Sequence, residues 1–278
     1  MDGLLKRDPQ ARHCASGLPV FLLASTRMSA PFFSLIIPCR NAAAAIGATL
    51  DSVLTQVGTD LEVLVIDGAS GDGTADVVRA HGHDPVRLWS EPDRGVYDAM
   101  NKGIRLSRGH WLLFLGADDR LAGADMLARV RAAIGPATGG VFCGEAQYTD
   151  GRVYQLADRP WLAARNFVHH QAAFYHRSCF AGREYDLSLP IQSDYDLNLC
   201  LWRAGMRFVP LAVRVAVCGP GGLSDGGSWA NYRDEIRVRH RHFPAWRCWP
   251  WDLGSVVRCL RKKTVLGLSR RQPSARRG

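Results

Sequence analysis

Nowhere in these 278 residues do the roughly 18 or more consecutive apolar residues of a bilayer-crossing helix occur, so no spanning segment is expected. The apolar run near the N-terminus, Leu18–Ala24, follows Lys6, Arg7 and Arg12 but is short and carries Pro19, which argues against a signal peptide. Residues 1–30 are therefore read as an extension ahead of the core, with Met28 as an alternative start. The eight cysteines, at 14, 39, 143, 179, 200, 218, 248 and 259, form no C-x-x-C pair and have no histidine at zinc-finger spacing. Neither a structural zinc site nor a disulfide framework is expected, and the pattern suits reduced thiols in a cytoplasm. No internal repeat is visible, and 47% hydrophobic residues at this length support one substantial α/β core. The turn PCRNAAA after the first apolar strand contains no G-x-G-x-x-G, which removes the pyrophosphate-cradling turn of a dinucleotide-dependent dehydrogenase.

Acidic residues are scarce at one end. From Ala245 onward there are seven Arg and two Lys against Asp252 alone, so residues 245–278 hold +8 of the net +9 and the rest of the chain is nearly neutral. Leu253, Val256, Val257 and Leu260 fall at i, i+3, i+4 and i+7, with Arg258, Arg261 and Lys262 turned away and Trp246, Trp249 and Trp251 just upstream. This predicts a basic amphipathic tail beyond a folded domain at 31–244. It fits an anionic membrane surface or an ordinary surface helix with a basic end. The first reading places the protein peripherally at the inner face of the cell membrane.

What is present is an alternation of strands and helices. The strand FSLIIPCRN, from Phe33, leads to an Ala-rich helix with apolar Ile46, Leu50, Val53 and Leu54, and a second strand, LEVLVID, ends at Asp67. The turn-rich GASGDGT precedes a helix over Ala75–Ala80, a strand over Val86–Trp89, a helix over Val96–Leu106 and a strand over His110–Leu115 that runs out into Asp118 and Asp119. Such spacing predicts a parallel, doubly wound sheet with ligands at the carboxyl ends of the strands. Adjacent acids after a buried strand suit a divalent cation shared with nucleotide phosphates, and equally a turn or a helix N-cap.

Beyond Gly140 short strands, Val141–Tyr148, Val153–Leu156 and Ala172–Tyr175, predict a mixed layer. NFVHHQAAFYHR places His169, His170 and Gln171 before one of them. IQSDYDLNLCLWRAG places Asp194 near the start of an amphipathic helix with apolar Leu197, Leu201 and Trp202. An acid there is stabilised by the exposed N–H groups and the macrodipole by about 0.3–1 kcal/mol without any catalytic role.

Taken in order, SLIIPCRN, EVLVIDGASGDGT, EPDRGVYDAMNKG and WLLFLGADDRL resemble the family 2 glycosyltransferases of the GT-A fold over roughly Phe33–Leu223. They are most similar to the bacterial branch that builds exopolysaccharide, colanic-acid-like or O-antigen chains. The resemblance implies an inverting, metal-dependent enzyme that moves a sugar from a nucleotide-diphosphate donor to a glycan or polyprenyl-linked acceptor. A UDP-sugar is the expected donor, Mn²⁺ or Mg²⁺ the cofactor, and no nucleic-acid partner is expected. On that likeness Asp67 matches the acid that hydrogen-bonds the nucleobase, Pro38 and Arg40 line the same crevice, and Arg94 contacts the diphosphate. Asp119 holds the metal, with Asp118 aiding it or holding the ribose. Asp194 is the general base, with Asp196 as the fallback, and His170 and Gln171 touch the acceptor or donor sugar.

Two positions depart from the family pattern: Gly68 stands where a second acid is usual, and Gly116 where many relatives carry the first acid of D-x-D-D. Asp98, Asn101 and Lys102 look like a branch signature without a derivable role. A nucleotidyltransferase of the same fold class would show a Gly-rich loop with Arg and Lys after the first strand, which is absent. A degenerate basic domain binding RNA or membrane would use the +8 charge but leave acids at three separate strand or helix ends unexplained.

Overall fold

The computed structural model describes residues 30–82, 84–156, 162–219 and 228–269. Expectations for residues 1–29, for 220–223 and for the chain beyond 269 lie outside the described residues.

Four strands, β1 (Phe33–Cys39), β2 (Leu61–Asp67), β3 (Val86–Ser90) and β4 (Trp111–Phe114), pair in parallel in the order β3-β2-β1-β4. Every residue of β1 is buried, as a strand covered on both faces requires. Side chains alternate across a strand, so Leu35, Ile37, Val63 and Val65 pack on one face with Ile46, Leu50 and Val53 of α1 (Ile46–Leu54) and Val78 of α2 (Thr74–Ala80). Ile36, Leu64 and Ile66 pack on the other with Tyr97, Met100 and Ile104 of α3 (Val96–Leu106). The chain winds outward from β1 to β3 and then returns to the far side of β1 as β4. That reversal opens a crevice outside the carboxyl ends of β1 and β4, where α/β sheets hold their ligands.

The second half completes one sheet. β5 (Arg120–Leu121) and α4 (Met126–Ile134) precede β6 (Val141–Tyr148), β7 (Val153–Tyr154), β8 (Ala173–His176), α5 (Ser193–Arg203) and β9 (Phe208–Cys218). The order is β3-β2-β1-β4-β8-β6-β9-β5, with β7 on β6. β8 runs antiparallel to β4 and β6, and β9 parallel to β6. The amino end of β8 therefore shares an edge with the carboxyl ends of β1, β2, β4 and β9.

Two helices close the described chain, α6 (Trp229–His242) and α7 (Ala245–Ser269). The sequence reading passed over α6 because its buried positions include Asp234, Glu235 and Arg239, which leave no apolar periodicity to see. The polar contacts of α6 extend across residue 245 into α7. Arg239 is fully buried and donates to Glu235 (3.0 Å), Asp252 (2.9 Å), Ser255 (2.6 Å) and the Ala164 carbonyl (2.8 Å). A guanidinium taken out of water needs this many acceptors, and two of them belong to α7. Residues 245–269 are thus continuous with the folded body through a polar face. Among the described residues no helix is long and apolar enough to cross a membrane.

Candidate active site

The loops after β1 and β2 are stitched together. Asn41 and Ala69 take left-handed backbone conformations, φ 51° and 53°, which for residues with a Cβ persist only when the surroundings fix them. Here Asn41 N donates to Ser70 Oγ (2.7 Å), Gly71 N to Asn41 Oδ1 (3.1 Å), Ala42 N to Thr74 Oγ1 (2.8 Å) and Ala43 N to Asp72 Oδ2 (3.0 Å). Asp67, buried at the end of β2, accepts from the Ser70 hydroxyl and N–H and from Ser90 Oγ (2.6 Å). Burial alone would raise its pKa, but the hydrogen bonds from Ser70 and Ser90 prevail and hold it below the usual carboxylate range. Arg40 is exposed at the end of β1. Pro38 is buried within the strand, so it forms wall behind the crevice and not its lining as expected.

Gly68 has a spatial explanation. A Cβ there would collide with Asp93 Oδ2, so the Asp93 carboxylate fills the room beside Asp67 that a second acid would otherwise enter. The sequence reading missed Asp93; its one signal was the missing acid at 68. Arg94 is 76% exposed and pairs with Asp98 at 3.4 Å, while Asp98 also accepts from the Arg94 N–H (3.0 Å). Lys102 reaches the Pro92 carbonyl (2.7 Å) and Glu91 (2.9 Å). Asn101 clamps the Tyr185 backbone, donating to its carbonyl (2.9 Å) and accepting from its N–H (2.8 Å). The three residues without a derivable role thus hold the 91–95 turn and tie α3 to the second half.

After β4 the two acids part company. Asp119 is 3% exposed, with Oδ2 accepting from Gly116 N (2.9 Å) and Oδ1 from Gly219 N (3.1 Å) just past β9. Burial and the neighbouring Asp118 charge raise its pKa. A Cβ at 116 would lie 2.5 Å from Asp119 Oδ2, so glycine in place of the motif's first acid is what lets Asp119 fold back. Asp118 is exposed, and a Cβ at Gly219 would lie 2.7 Å from its Oδ2. An accessible carboxylate is the hard oxygen donor that Mn²⁺ or Mg²⁺ takes. Both oxygens of Asp119, the acid expected to lead the metal site, accept from the backbone, whereas Asp118, expected to aid it, is exposed.

Asp194 lies in the first turn of α5, 7% exposed. Its Oδ2 accepts from Asn166 Nδ2 (2.8 Å), and the Tyr97 hydroxyl stands 2.9 Å from Oδ1 and 2.7 Å from the Ile191 carbonyl. His170 Nδ1 is 3.6 Å from Asp194 Oδ2. Gln171 follows in the same 3-10 turn, His170–Ala172. His169 instead turns to the Tyr148 hydroxyl (3.0 Å); burial and the adjacent His170 pull its pKa down to about 4, which keeps it neutral. Asp196 points elsewhere, to His242 Nε2 (2.9 Å) and Arg241 (3.8 Å). Asp196, Cys200 and His242 bring ligand atoms within 4.8 Å of one another, but the Arg241 guanidinium already supplies the counter-charge. Asn166 and Tyr97 were not picked out beforehand, since only the fold brings them to Asp194.

The model of "Glycosyl transferase family 2" matches residues 34–187. A "PGL/p-HBAD biosynthesis glycosyltransferase" of Mycobacterium bovis (strain BCG / Pasteur 1173P2) is 40% identical over 182 residues, covering 62% of this chain and 70% of that protein. An "uncharacterized glycosyltransferase" of Mycobacterium tuberculosis (strain ATCC 25618 / H37Rv) is 35% identical over 201 residues, covering 68% and 75%. Among solved structures, S. aureus TarS 1-349 in complex with UDP aligns with a TM-score of 0.59 at 16% identity, covering 76% of this chain and 64% of that one. The mannosyltransferase PcManGT from Pyrobaculum calidifontis, in complex with GDP-Man and Mn²⁺, aligns with a TM-score of 0.61 at 20% identity, covering 89% and 77%. These two likenesses show the GT-A fold.

Proposed function

This chain belongs to glycosyl transferase family 2, and we propose that it transfers a sugar from a nucleotide-diphosphate donor to a hydroxyl of a glycan or lipid-linked acceptor, with inversion at the anomeric carbon. The observation that supports the reading is the held acid of α5: Asp194, 7% exposed, accepts from Asn166 and Tyr97 and has His170 at 3.6 Å. On this reading the acid on α5 and the acids after β4 serve one cleft from opposite halves of the sheet. A single in-line displacement needs that separation, because the acceptor attacks from the side opposite the leaving nucleoside diphosphate.

Each group has a task in that scheme. The loop pair 40–43 and 67–74 forms a rigid wall for the nucleoside, with Asp67 fixing the loop and Asp93 beside it. Arg94 and Arg40 face the diphosphate with positive charge, and guanidinium matches phosphate oxygens bidentately. Asp118 leads the metal site and Asp119 holds its loop against Gly219; when bound, Mn²⁺ or Mg²⁺ supplies positive charge to the departing diphosphate. Asp194 takes the acceptor hydroxyl's proton, oriented by Asn166 and Tyr97, and His170 and Gln171 contact the sugar.

Donor identity is narrowed by class alone. The aligned TarS structures hold UDP or UDP-GlcNAc, and PcManGT holds GDP-Man. We place a UDP-sugar first. The relatives at 40% identity are named for PGL/p-HBAD biosynthesis and the sequence motifs resemble the exopolysaccharide branch, so the acceptor is proposed as a lipid-linked or polysaccharide hydroxyl without a named pathway. The test is hydrolysis and binding of UDP-, GDP- and dTDP-sugars with Mn²⁺, before and after EDTA. Metal-dependent turnover of one donor supports the reading; failure to bind any of them overturns it.

A further inference from the structure

The orientation of α7 is the reverse of an ordinary surface helix. Its buried side consists of Cys248, Ser255 and Cys259, with Asp252 mostly covered, and this side is bound through Arg239 and through Arg258 to Glu235 (2.7 Å). Its outward side carries Trp246 (73% exposed), Trp249 (63%), Leu253 (58%), Val257 and Leu260 (60%). At about 100° per residue these positions fall within roughly one third of the helix circumference. A fold that turns the side of small residues and paired charge inward and leaves the large apolar side chains of a helix in water has left that stripe for something else.

We propose that this stripe is a docking surface for an anionic lipid bilayer. Charge selects the occupant. The one acid of residues 245–278, Asp252, is turned inward onto Arg239 and His240, so the outward side presents apolar and basic groups without an acid. Arg247 and Arg261 are exposed beside the stripe, and the segment as a whole carries +8. A second copy of this chain would bring the same positive charge to the contact and repel it, whereas anionic headgroups are attracted. Indole rings are at home at the headgroup level, and a 25-residue helix, roughly 37 Å long, lies flat there.

The same anchoring gives the surface a direction. Arg239 Nη1 donates to the Ala164 carbonyl, two residues before Asn166, whose amide holds Asp194. Docking through α7 would therefore hold the Asn166–Asp194 side of the protein close to the docked helix, within reach of a lipid-linked acceptor. This directional part rests on the proposed glycosyl transfer; the docking itself does not.

The experiment is co-sedimentation of the full chain with phosphatidylglycerol and with phosphatidylcholine vesicles at low and high salt. Three forms are compared: the unaltered protein, a Trp246→Ser/Trp249→Ser/Leu253→Ser variant, and an Arg247→Gln/Arg261→Gln variant. Binding to phosphatidylglycerol is expected, weakened by salt, about fivefold weaker for each arginine removed and more than about tenfold weaker in the apolar variant. All three residues of the apolar variant are exposed, so its melting temperature and its hydrolysis of soluble donor should be unchanged. That separates failure of docking from failure of the transferase reading. Equal binding by all three forms, absence of binding to phosphatidylglycerol, or a stripe-dependent dimer in solution would each overturn the proposal.

Discussion

The two sides of the cleft use their acids differently. On the donor side the acids mostly hold backbone: Asp67 fixes the 67–74 loop, Asp119 joins Gly116 to Gly219, and Asp98 secures the turn at Arg94. Asp118 alone of the pair after β4 is left exposed. On the acceptor side Asp194 is held by side chains, Asn166 and Tyr97, that come from distant parts of the chain. The loops proposed to hold the nucleotide are built from hydrogen bonds between carboxylates and backbone N–H groups, some local and some reaching across the chain. The acid proposed as the base is held instead by side-chain donors, one on each of its oxygens.

The comparison is sharpened most by Asp194→Asn. Turnover should fall by about 10²–10⁴-fold while calorimetric binding of donor with Mn²⁺ is retained, because one side of the cleft is changed and the other is not. Equal loss of binding would break the division. Next comes Arg239→Met, which leaves Glu235 and Asp252 without their buried partner. Urea denaturation should show a loss of about 3 kcal/mol, the cost of buried acceptors left short of a donor while Arg258 and His240 still compensate their charge.

The two acids after β4 give a paired test of smaller size. Asp119→Asn keeps one carbonyl oxygen for two backbone donors and should lower stability by about 1–3 kcal/mol. Asp118→Asn should leave stability within about 0.5 kcal/mol and weaken Mn²⁺-dependent donor binding instead. The reverse outcome would restore Asp119 as the leading ligand.

The smallest effect concerns acid stability. The folded pKa of Asp67 is depressed below its unfolded value, so its contribution is present above about pH 4 and lost as pH falls through the folded pKa. Asp67→Asn should flatten that part of the stability curve, measured by urea unfolding at several pH values between neutral and strongly acid. An unchanged slope would mean that the Ser70 and Ser90 hydrogen bonds do not favour the ionised form.

Sequence by itself determined the nucleotide half. β1 to β4 and α1 to α3 follow from runs of apolar residues at spacings of 2 and 3.6, and the acids at their ends fall within a few residues of the strands that deliver them. Local patterning decides such features, so they survive being read in one dimension. Only tertiary structure decided the rest. Which acid after β4 stays open depends on Gly219, a hundred residues away in the chain from Asp119. What holds Asp194 depends on Tyr97 and Asn166, and which side of α7 faces water depends on a buried arginine in the preceding helix. In each case the amphipathic or acidic motif was visible. Its direction was not, because direction is set by long-range partners whose burial makes an unpaired charge or N–H too costly to leave.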